Sequence, residues 1–416
     1  MRERSLAEPA RARWSIVALL AVALFINYVD RGAVPSAAHL LQADLHLAPH
    51  HLGLLFSAFF WTYALLQIPI GWAAERLGAA RVLGAGLALW ACATLLTGAS
   101  HSFGELLGLR LLLGVGESVG FPSVSKLLAS VVPIASLGRA NGLVSFGYLF
   151  GPAVGAYGGG ALMVHIGWRG MFYVLGALSL LWLIPWSFVR LAPAAQRTVN
   201  GPGWGALLRQ RALWGTTLGH FASNYTFYFM LTWLPYYLVK VRGLSTAAMA
   251  GVVGSAYLVN AASAFLAGWF ADRAVRAGHG TFAYKSMMLI ALIGAVACML
   301  CIGLGSAPLA LGAIFVFQVL LGMSSPGTFA ISQILAGPGA TARWIGVQNA
   351  LANVSGIIAP AVAGYLADAN GGFAAAFVIA AGVSALGVFG WLGLVPLVEP
   401  LDWSARTARG SGPAGP

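Results

Sequence analysis

Long apolar segments alternate with short polar interruptions along the whole chain. Because a helix of about 20 apolar residues crosses the hydrocarbon layer of a bilayer, this pattern predicts twelve membrane-spanning helices. The first follows a cluster of arginines, as a secretory signal does, but it has no convincing cleavage site, so we expect a retained helix. The predicted helices cover residues 14–36, 51–73, 79–99, 104–129, 138–164, 169–190, 212–238, 247–270, 284–305, 308–334, 344–367 and 373–397.

The longest polar interruption lies at residues 191–211 and contains Pro193 and Pro202. It divides the predicted helices six and six, so we expect it to be a cytoplasmic linker between two bundles. The predicted domains are an N-terminal bundle, this linker, a C-terminal bundle and a cytoplasmic tail, at residues 1–190, 191–211, 212–400 and 401–416.

Two short sequences recur about half a chain apart. Gly71–Arg76 reads GWAAER and Gly268–Arg273 reads GWFADR, while Gly151–Val154 reads GPAV and Ala359–Val362 reads APAV. Repeats at this spacing indicate that the two halves are duplicated copies of one unit.

Composition excludes a water-soluble globule. The chain has 416 residues, of which 59% are hydrophobic and 8% charged, whereas soluble domains carry roughly 25% charged residues. Its 54 glycines are spread through the apolar segments, which is typical of closely packed helices in lipid. Cys298 and Cys301 form a C-x-x-C inside one apolar segment, where packing is a better explanation than redox or metal chemistry.

The net charge of +12 favours membrane orientation over nucleic-acid binding, because the basic residues form short clusters between the apolar segments. With the N-terminus inside, nearly all of the 23 Lys and Arg residues lie on the cytoplasmic side. The exceptions are Arg169, Lys240 and Arg242 outside and Arg31 and Arg110 within the membrane. This bias predicts that both termini are cytoplasmic.

The repeated GWxAxR sequence is a candidate gate. In its first copy Gly71 allows close helix packing, while Glu75 and Arg76 can bridge to a neighbouring helix end as the halves rock. Asp272 and Arg273 occupy the same places in the second copy. A solvated charge pair explains one copy equally well, but two equivalent copies favour the gate. The first copy resembles the loop signature of the major facilitator superfamily; the second departs from that signature after Arg273.

Four charged residues remain at membrane depth: Asp30, Arg31, Arg110 and Glu117. Each costs roughly 2.5 to 3.5 kcal/mol to insert, so they need partners or a water-filled cavity. Arg110 and Glu117 share one helix face about 10.5 Å apart, and we expect them to line one pathway at two depths. Asp30 and Arg31 diverge by roughly 100° around their helix. A structural ion-pair network remains an alternative, whereas a fixed guanidinium suits a carboxylate substrate.

Several segments form a recognisable pattern: NYVDR at Asn27–Arg31, FSAFFWTY at Phe56–Tyr63 with QIP at Gln67–Pro69, Arg110 with Gly114, Glu117 and Phe121–Pro122, and LTWLP at Leu231–Pro235. Together they resemble the anion:cation symporter family of the major facilitator superfamily, which includes hexuronate and galactonate carriers, sialin and the vesicular glutamate transporters. The resemblance covers nearly all of the chain. It implies an all-α major facilitator fold of two pseudo-symmetric six-helix bundles and organic-anion transport, commonly with protons.

Carried over by position, the resemblance implies a substrate site and two proton sites. The expected substrate contacts are Tyr28, Arg31, Tyr63, Arg110 and Asn349, to which we add Tyr148 and Asn353 as departures from the sugar-acid carriers. Asp30 and Glu117 are the expected proton sites. The resemblance further implies a monomer in the bacterial cytoplasmic membrane, driven by the proton gradient, with no cofactor, metal or nucleic acid.

Alternatives stay open. The glycine pattern at Gly147–Gly155 is similar to an antiporter signature, although a bend that packs against the eighth helix explains it as well; an organic-anion or drug antiporter is therefore the second candidate. His220, Asn224 and Tyr225 suit either hydrogen bonding to a hydroxylated substrate or plain packing. We find no metal-ligand spacing, nucleophile with a base, or phosphate-binding loop, so an enzyme is not expected.

Overall fold

The computed structural model describes residues 10–47, 49–189, 191, 201–370, 373–395 and 397–403. Every regular element in these ranges is a helix. The elements are α1 (Ala10–Asp44), α2 (Pro49–Ala73), α3 (Ala79–Thr97), α4 (Phe103–Glu117), α5 (Gly120–Val131), α6 (Ile134–Leu181), α7 (Leu183–Ser187), α8 (Trp204–Leu208), α9 (Arg211–Tyr236), α10 (Thr246–Arg276), α11 (Gly280–Leu304), α12 (Ala307–Ala336), α13 (Thr341–Asn370) and α14 (Ala374–Phe389), with single π turns at Ala74–Gly78, Tyr237–Val241 and Gly390–Leu394.

The described part of each predicted segment is helical, with two differences in continuity. The fourth segment is split into α4 and α5 by a turn directly after Glu117. The fifth and sixth segments run together as α6, whose backbone breaks at Gly167 with φ 69° and ψ 174°. Glycine adopts that positive φ without steric cost, so the break marks the loop that separates the two predicted helices.

Within the described residues, nine segments are long and apolar enough to cross a membrane, and one of them, Ala58–Thr97, contains part of α2 and all of α3. The segment that corresponds to α9 is not among the nine. It is less apolar because it carries His220, Ser223, Asn224 and Thr226 within two turns. The first part of α6 is not among them either.

The helices of each half pack mainly on one another: α1 lies against α6, α2 against α4, and α9 against α13 and α14. Two further pairs join the halves, since α10 packs along α6 and α13 packs along α2. The assignment of residues 1–190 and 212–400 to separate bundles stays a prediction. The predicted tail at 401–416 lies outside the described residues after Trp403.

Candidate substrate and proton site

A small cavity of about 50 Å³ lies where helices from both halves meet. It has room for about four water molecules. The cavity contains four of the predicted substrate residues, Tyr28, Tyr148, Asn349 and Asn353, whereas Arg31, Tyr63 and Arg110 are not in its lining. The other polar and aromatic lining side chains are Phe121, His220, Ser223, Asn224, Phe227, Tyr228, Ser324, Ser325, Thr328 and Phe329.

Arg31 is enclosed by aromatic rings. Its guanidinium carbon lies 4.4 Å from the ring centres of Tyr28 and Tyr63 and 4.7 Å from that of Phe59. Its Nε donates to Glu117 Oε2 at 2.9 Å, and the Glu117 side chain has no exposed surface. Cation–π contacts with desolvated rings stabilise such a charge by up to about 2 kcal/mol each. The arginine is therefore held rigidly, directly behind a residue of the cavity wall.

The ion-pair partner of Glu117 lies on another helix. Spacing along α4 placed Arg110 and Glu117 on a shared pathway, but the ion pair joins Glu117 to Arg31 on α1. Arg110 instead donates its Nε to the Leu55 carbonyl oxygen on α2 at 3.2 Å. A separation of two turns is too long for a direct contact along α4, whereas α1 brings Arg31 alongside.

Asp30 points away from Arg31, as the angle between adjacent helix positions predicts. Its Oδ2 accepts a hydrogen bond from Thr94 Oγ1 on α3 at 3.2 Å. Asp30 nevertheless lies within electrostatic reach of Glu117 and Arg110. The four charged residues predicted at membrane depth thus form one buried group of two cations and two anions in the N-terminal half.

Amide and hydroxyl side chains form another part of the cavity wall. Tyr228 donates its hydroxyl to Asn353 Oδ1 at 2.7 Å, and Asn353 Nδ2 donates to the Asn349 carbonyl oxygen at 2.7 Å. Asn349 Nδ2 donates in turn to Gln67 Oε1 at 2.6 Å, which links the two halves. The sequence analysis missed Tyr228 and Gln67, although Gln67 lies in the QIP segment that it singled out.

His220 belongs to the same wall. Its Nδ1 lies 3.3 Å from Gln348 Nε2, and Gln348 Oε1 accepts from Ser332 Oγ at 2.6 Å. An amide nitrogen only donates, so His220 Nδ1 accepts and the proton of the neutral ring resides on Nε2. His220 is also hydrogen-bonded to Asn224, so both residues belong to one polar network in the cavity wall.

The acids of the repeated motif join the halves at one end of the molecule. Glu75 forms an ion pair with Arg343 and also accepts from its backbone N–H at 3.2 Å. Asp272 forms the equivalent pair with Arg139 at 2.6 Å. Sequence analysis missed Arg139 and Arg343, yet both precede a glycine by three residues at equivalent helix starts, so the internal repeat could have shown them.

The other members of the motif have different partners. Arg76 stacks on Trp72, with its guanidinium carbon 5.1 Å from the ring centre, and Arg273 stacks on Trp269 at 4.6 Å. Gly71 allows close approach, because a Cβ there would lie 2.5 Å from the Ala342 carbonyl oxygen on α13. In this conformation the acids and the glycine hold the halves together, and the motif arginines pack on their own helices.

The segment before α8 is hydrogen-bonded to the end of the molecule where these ion pairs hold the halves together, which we call the closed end. Arg343 Nη1 donates to the Pro202 carbonyl oxygen at 2.6 Å, and Lys126 Nζ donates to the Pro338 carbonyl oxygen. Gly201 lies so close to Gly339 and Arg343 that a Cβ would clash with both, whereas a Cβ on Gly203 would meet nothing within 4 Å. The same arginine thus holds both Glu75 and the predicted linker.

Gly201→Ala is expected to destabilise the protein by about 1–3 kcal/mol, since added volume at a packed position forces backbone shifts. Gly203→Ala, two residues away in open space, is the matched control; because Gly203 is the N-cap of α8, where alanine is less favourable than glycine, the expected loss is smaller, below about 1 kcal/mol. Melting temperatures of the purified variants measure the difference. Equal melting temperatures of the two variants would contradict the close packing of Gly201 against Gly339 and Arg343.

Comparisons with known proteins agree with this architecture. Residues 20–349 match the family model of the Major Facilitator Superfamily. The chain is 28% identical to a hexuronate transporter of Bacillus subtilis, with 93% of this chain and 94% of the relative covered. It is also 28% identical to a probable sulfoacetate transporter of Cupriavidus necator (96% and 98%) and to a D-galactonate transporter of Escherichia coli (94% and 97%).

Solved structures share the fold. A crystal structure of the transporter FucP in the outward conformation superposes with a TM-score of 0.74 at 16% identity, covering 92% of this chain and 99% of that one. The human organic anion transporter MFSD10 gives 0.70 at 17%, covering 92% and 100%. The chain is a multi-pass membrane transporter with the major facilitator fold and not an enzyme. It belongs to the major facilitator superfamily, and its similarity to these carriers fits the anion:cation symporter family.

Proposed function

We propose that this transporter carries a small organic carboxylate together with protons by alternating access. The observation that supports this most directly is the buried guanidinium of Arg31, held in its aromatic enclosure beside the cavity. Its Nη2 has no hydrogen-bond partner among the described residues. A fixed guanidinium with an unpartnered nitrogen suits a carboxylate through charge-assisted hydrogen bonds, and it disfavours a cationic drug.

Coupling follows from competition for Arg31. In this conformation Glu117 occupies the Nε edge of the guanidinium. A substrate carboxylate that engages Arg31 weakens this pair, and a buried carboxyl group without a cation favours its neutral form. Substrate binding and proton uptake at Glu117 therefore reinforce each other. Asp30 supplies the second proton site of this scheme.

The amide and hydroxyl wall is suited to the uncharged part of the substrate. Asn349, Asn353, Tyr228 and His220 line the cavity, and Tyr228 also lies within hydrogen-bonding reach of Arg31. This division, with charge in the N-terminal half and neutral hydrogen-bonding groups in the C-terminal half, matches a hydroxylated acid such as a sugar acid. The relatives named for hexuronate and D-galactonate carry substrates of that chemistry.

Alternating access is supported by the closed end of the molecule. The pairs Glu75–Arg343 and Asp272–Arg139 hold the halves together there, and they must separate when the site opens to that side. We assign this end to the cytoplasm, with both termini cytoplasmic and the protein a monomer in a bacterial cytoplasmic membrane. The proton gradient supplies the energy, and no cofactor is required.

Exchange or efflux of an organic anion or drug is the second candidate. The glycine pattern that resembles an antiporter signature has a packing role here, but with a different partner from the one expected. A Cβ on Gly147 would lie 2.6 Å from the Ala21 carbonyl oxygen, and one on Gly151 would lie 2.7 Å from Tyr28 Cβ, so both pack on α1 and not on the eighth helix. Because packing accounts for these glycines, they give no independent support for exchange.

A thermal-shift screen tests the substrate class. Hexuronate, galactonate and sulfoacetate are expected to raise the melting temperature of the purified protein, because a ligand at 100 times its Kd stabilises by about 2.7 kcal/mol. The corresponding neutral sugars are the controls and are expected to give no shift. Uptake of the stabilising acid into proteoliposomes on an imposed pH gradient then tests coupling. A shift with neutral sugars but not with acids would contradict the assignment.

A further inference from the structure

The charged group around Glu117 contains an uncharged member, Asn27. Its side chain is 1% exposed, and neither Oδ1 nor Nδ2 has a hydrogen-bond partner among the described residues. Buried amides are nearly always satisfied in folded proteins, so both atoms require an explanation. The sequence analysis used Asn27 only as part of the NYVDR segment.

Helix geometry places Asn27 beside the proton site. Asn27 and Arg31 are four residues apart on α1 and therefore share one face. Arg31 holds Glu117 Oε2, and the Asn27 amide lies next to the same carboxyl group. The two side chains are close enough for a weak hydrogen bond, although neither polar atom of Asn27 meets full hydrogen-bond geometry. The second carboxyl oxygen, Glu117 Oε1, is also buried and unpartnered within the described residues.

Another donor in the group is less free to move. Arg110 Nη1 is buried without a partner too, but the Arg110 guanidinium is attached through Nε to the Leu55 carbonyl oxygen on α2. Asn27 has no such attachment. A rotation of its amide about the last side-chain bond suffices to present either nitrogen or oxygen to Glu117.

We propose that Asn27 is a positioning residue that serves both protonation states of Glu117. When Glu117 is ionised, Asn27 Nδ2 donates to Oε1. When Glu117 has taken a proton from the surrounding water, its O–H donates to Asn27 Oδ1 after the amide turns. An amide suits this task because it carries a donor and an acceptor on one planar group. The inference rests on the proposed role of Glu117 in proton coupling.

The consequence is a specific transport defect. Without the Asn27 donor, the ionised form of Glu117 loses support in a buried site, and the carrier remains protonated. Net uptake requires proton release in every cycle, whereas exchange of substrate for substrate does not. Asn27→Leu is therefore expected to lower pH-driven accumulation at least tenfold and to change counterflow by less than threefold.

The experiment compares pH-driven uptake with counterflow in proteoliposomes, using a carboxylate that stabilises the wild type. Asn27→Ser keeps a group that both donates and accepts, and it is expected to restore accumulation to within threefold of wild type. Asn27→Ala gives the same loss as Asn27→Leu and replaces it if the leucine variant does not fold. Asn260→Leu is the matched control, because Asn260 is a fully buried amide in the C-terminal half, paired with Gln318 at 2.6 Å.

The outcomes separate the inference from the function on which it rests. A wild-type protein that does not accumulate substrate on a pH gradient would overturn both. A wild type that accumulates, together with Asn27 variants that accumulate equally well, would overturn the inference alone. Parallel loss of uptake and counterflow in Asn27→Leu and Asn27→Ala, or an equal change of their ratio in Asn260→Leu, would show a structural role only.

Discussion

Replacing Arg31 by alanine is expected to abolish carboxylate binding. Truncating one partner of a buried, hydrogen-bonded charge pair costs about 2–5 kcal/mol, which is roughly a 30- to 5,000-fold loss of affinity. Arg31 contacts the cavity wall, since its guanidinium carbon lies 4.4 Å from the ring centre of the lining residue Tyr28. The loss is measured by titration calorimetry or by the disappearance of the ligand-induced thermal shift.

The controls for Arg31 separate charge from geometry. Arg31→Lys keeps the charge but lacks the planar fork, and it is expected to bind with intermediate affinity. The double variant Arg31→Ala with Glu117→Gln removes both members of the pair, so neither charge is left without the other, and the variant is expected to fold without restoring binding. Full affinity in Arg31→Ala would indicate a neutral or cationic substrate.

Arg110→Ala is also expected to lose substrate binding, because Arg110 is a predicted substrate contact. The structure gives a second reason for lower binding, which is a loss of stability. Arg110 holds the Leu55 carbonyl oxygen on α2 and lies 5.5 Å from the ring centre of Phe59. A lower melting temperature is therefore expected together with the binding loss. If Arg110→Ala lowers stability but binds substrate normally, its role is to support the site and not to contact the anion.

Much of the fold could be predicted from the sequence because membrane helices are recognisable by the length and hydropathy of their segments. Hydropathy predicts less where polar residues of the candidate site or a turn interrupt an apolar segment. The segment of α9 is weakly apolar because His220 and Asn224 line the cavity, and the fourth helix is divided by a turn directly after Glu117. Neither the turn after Glu117 nor the continuity of α6 across Gly167 follows from apolar segment length.

The site was less predictable because partners across helices depend on packing, which periodicity along one helix does not determine. Rarity of charge at membrane depth identified all four charged residues, but the contact of Glu117 with Arg31 on α1 depends on how the helices pack. The role of the Asn27 amide could not be predicted from the sequence either, since an asparagine near charged residues has no distinctive spacing. Only the burial of both its polar atoms singles it out.

The internal repeat predicts more of the contacts between the halves than single motifs do. Glu75 and Asp272 were identified as equivalent acids, and the structure gives them equivalent arginines, Arg343 and Arg139, at the starts of α13 and α6. A search for cations at matching positions of the two halves would have found these partners. The symmetry is incomplete, because the hydrogen bond to the Pro202 carbonyl oxygen comes from Arg343.

Glu117→Gln is expected to separate transport from energy coupling. Glutamine resembles the protonated carboxyl group but has no removable proton, so the variant keeps the shape of the site and releases Arg31 from its ion pair. The amide oxygen of the glutamine still accepts from Arg31 Nε but carries no charge, so the guanidinium remains available to the substrate, and binding and counterflow are retained. Because a cycle without proton uptake draws nothing from the gradient, pH-driven accumulation is expected to fall to the level of equilibration.

Two proteoliposome assays on wild type and Glu117→Gln test this expectation: counterflow with substrate on both sides, and uptake on an imposed pH gradient. Asp30→Asn is the companion variant. Asp30 is held by Thr94 and not by an arginine, but it shares the buried charge group with Glu117, so we expect a related and milder defect. Normal gradient-driven accumulation by Glu117→Gln would remove Glu117 from the proton path and leave Asp30 as the candidate. If the variant loses both counterflow and accumulation, the carboxylate is instead needed to position Arg31 for the anion.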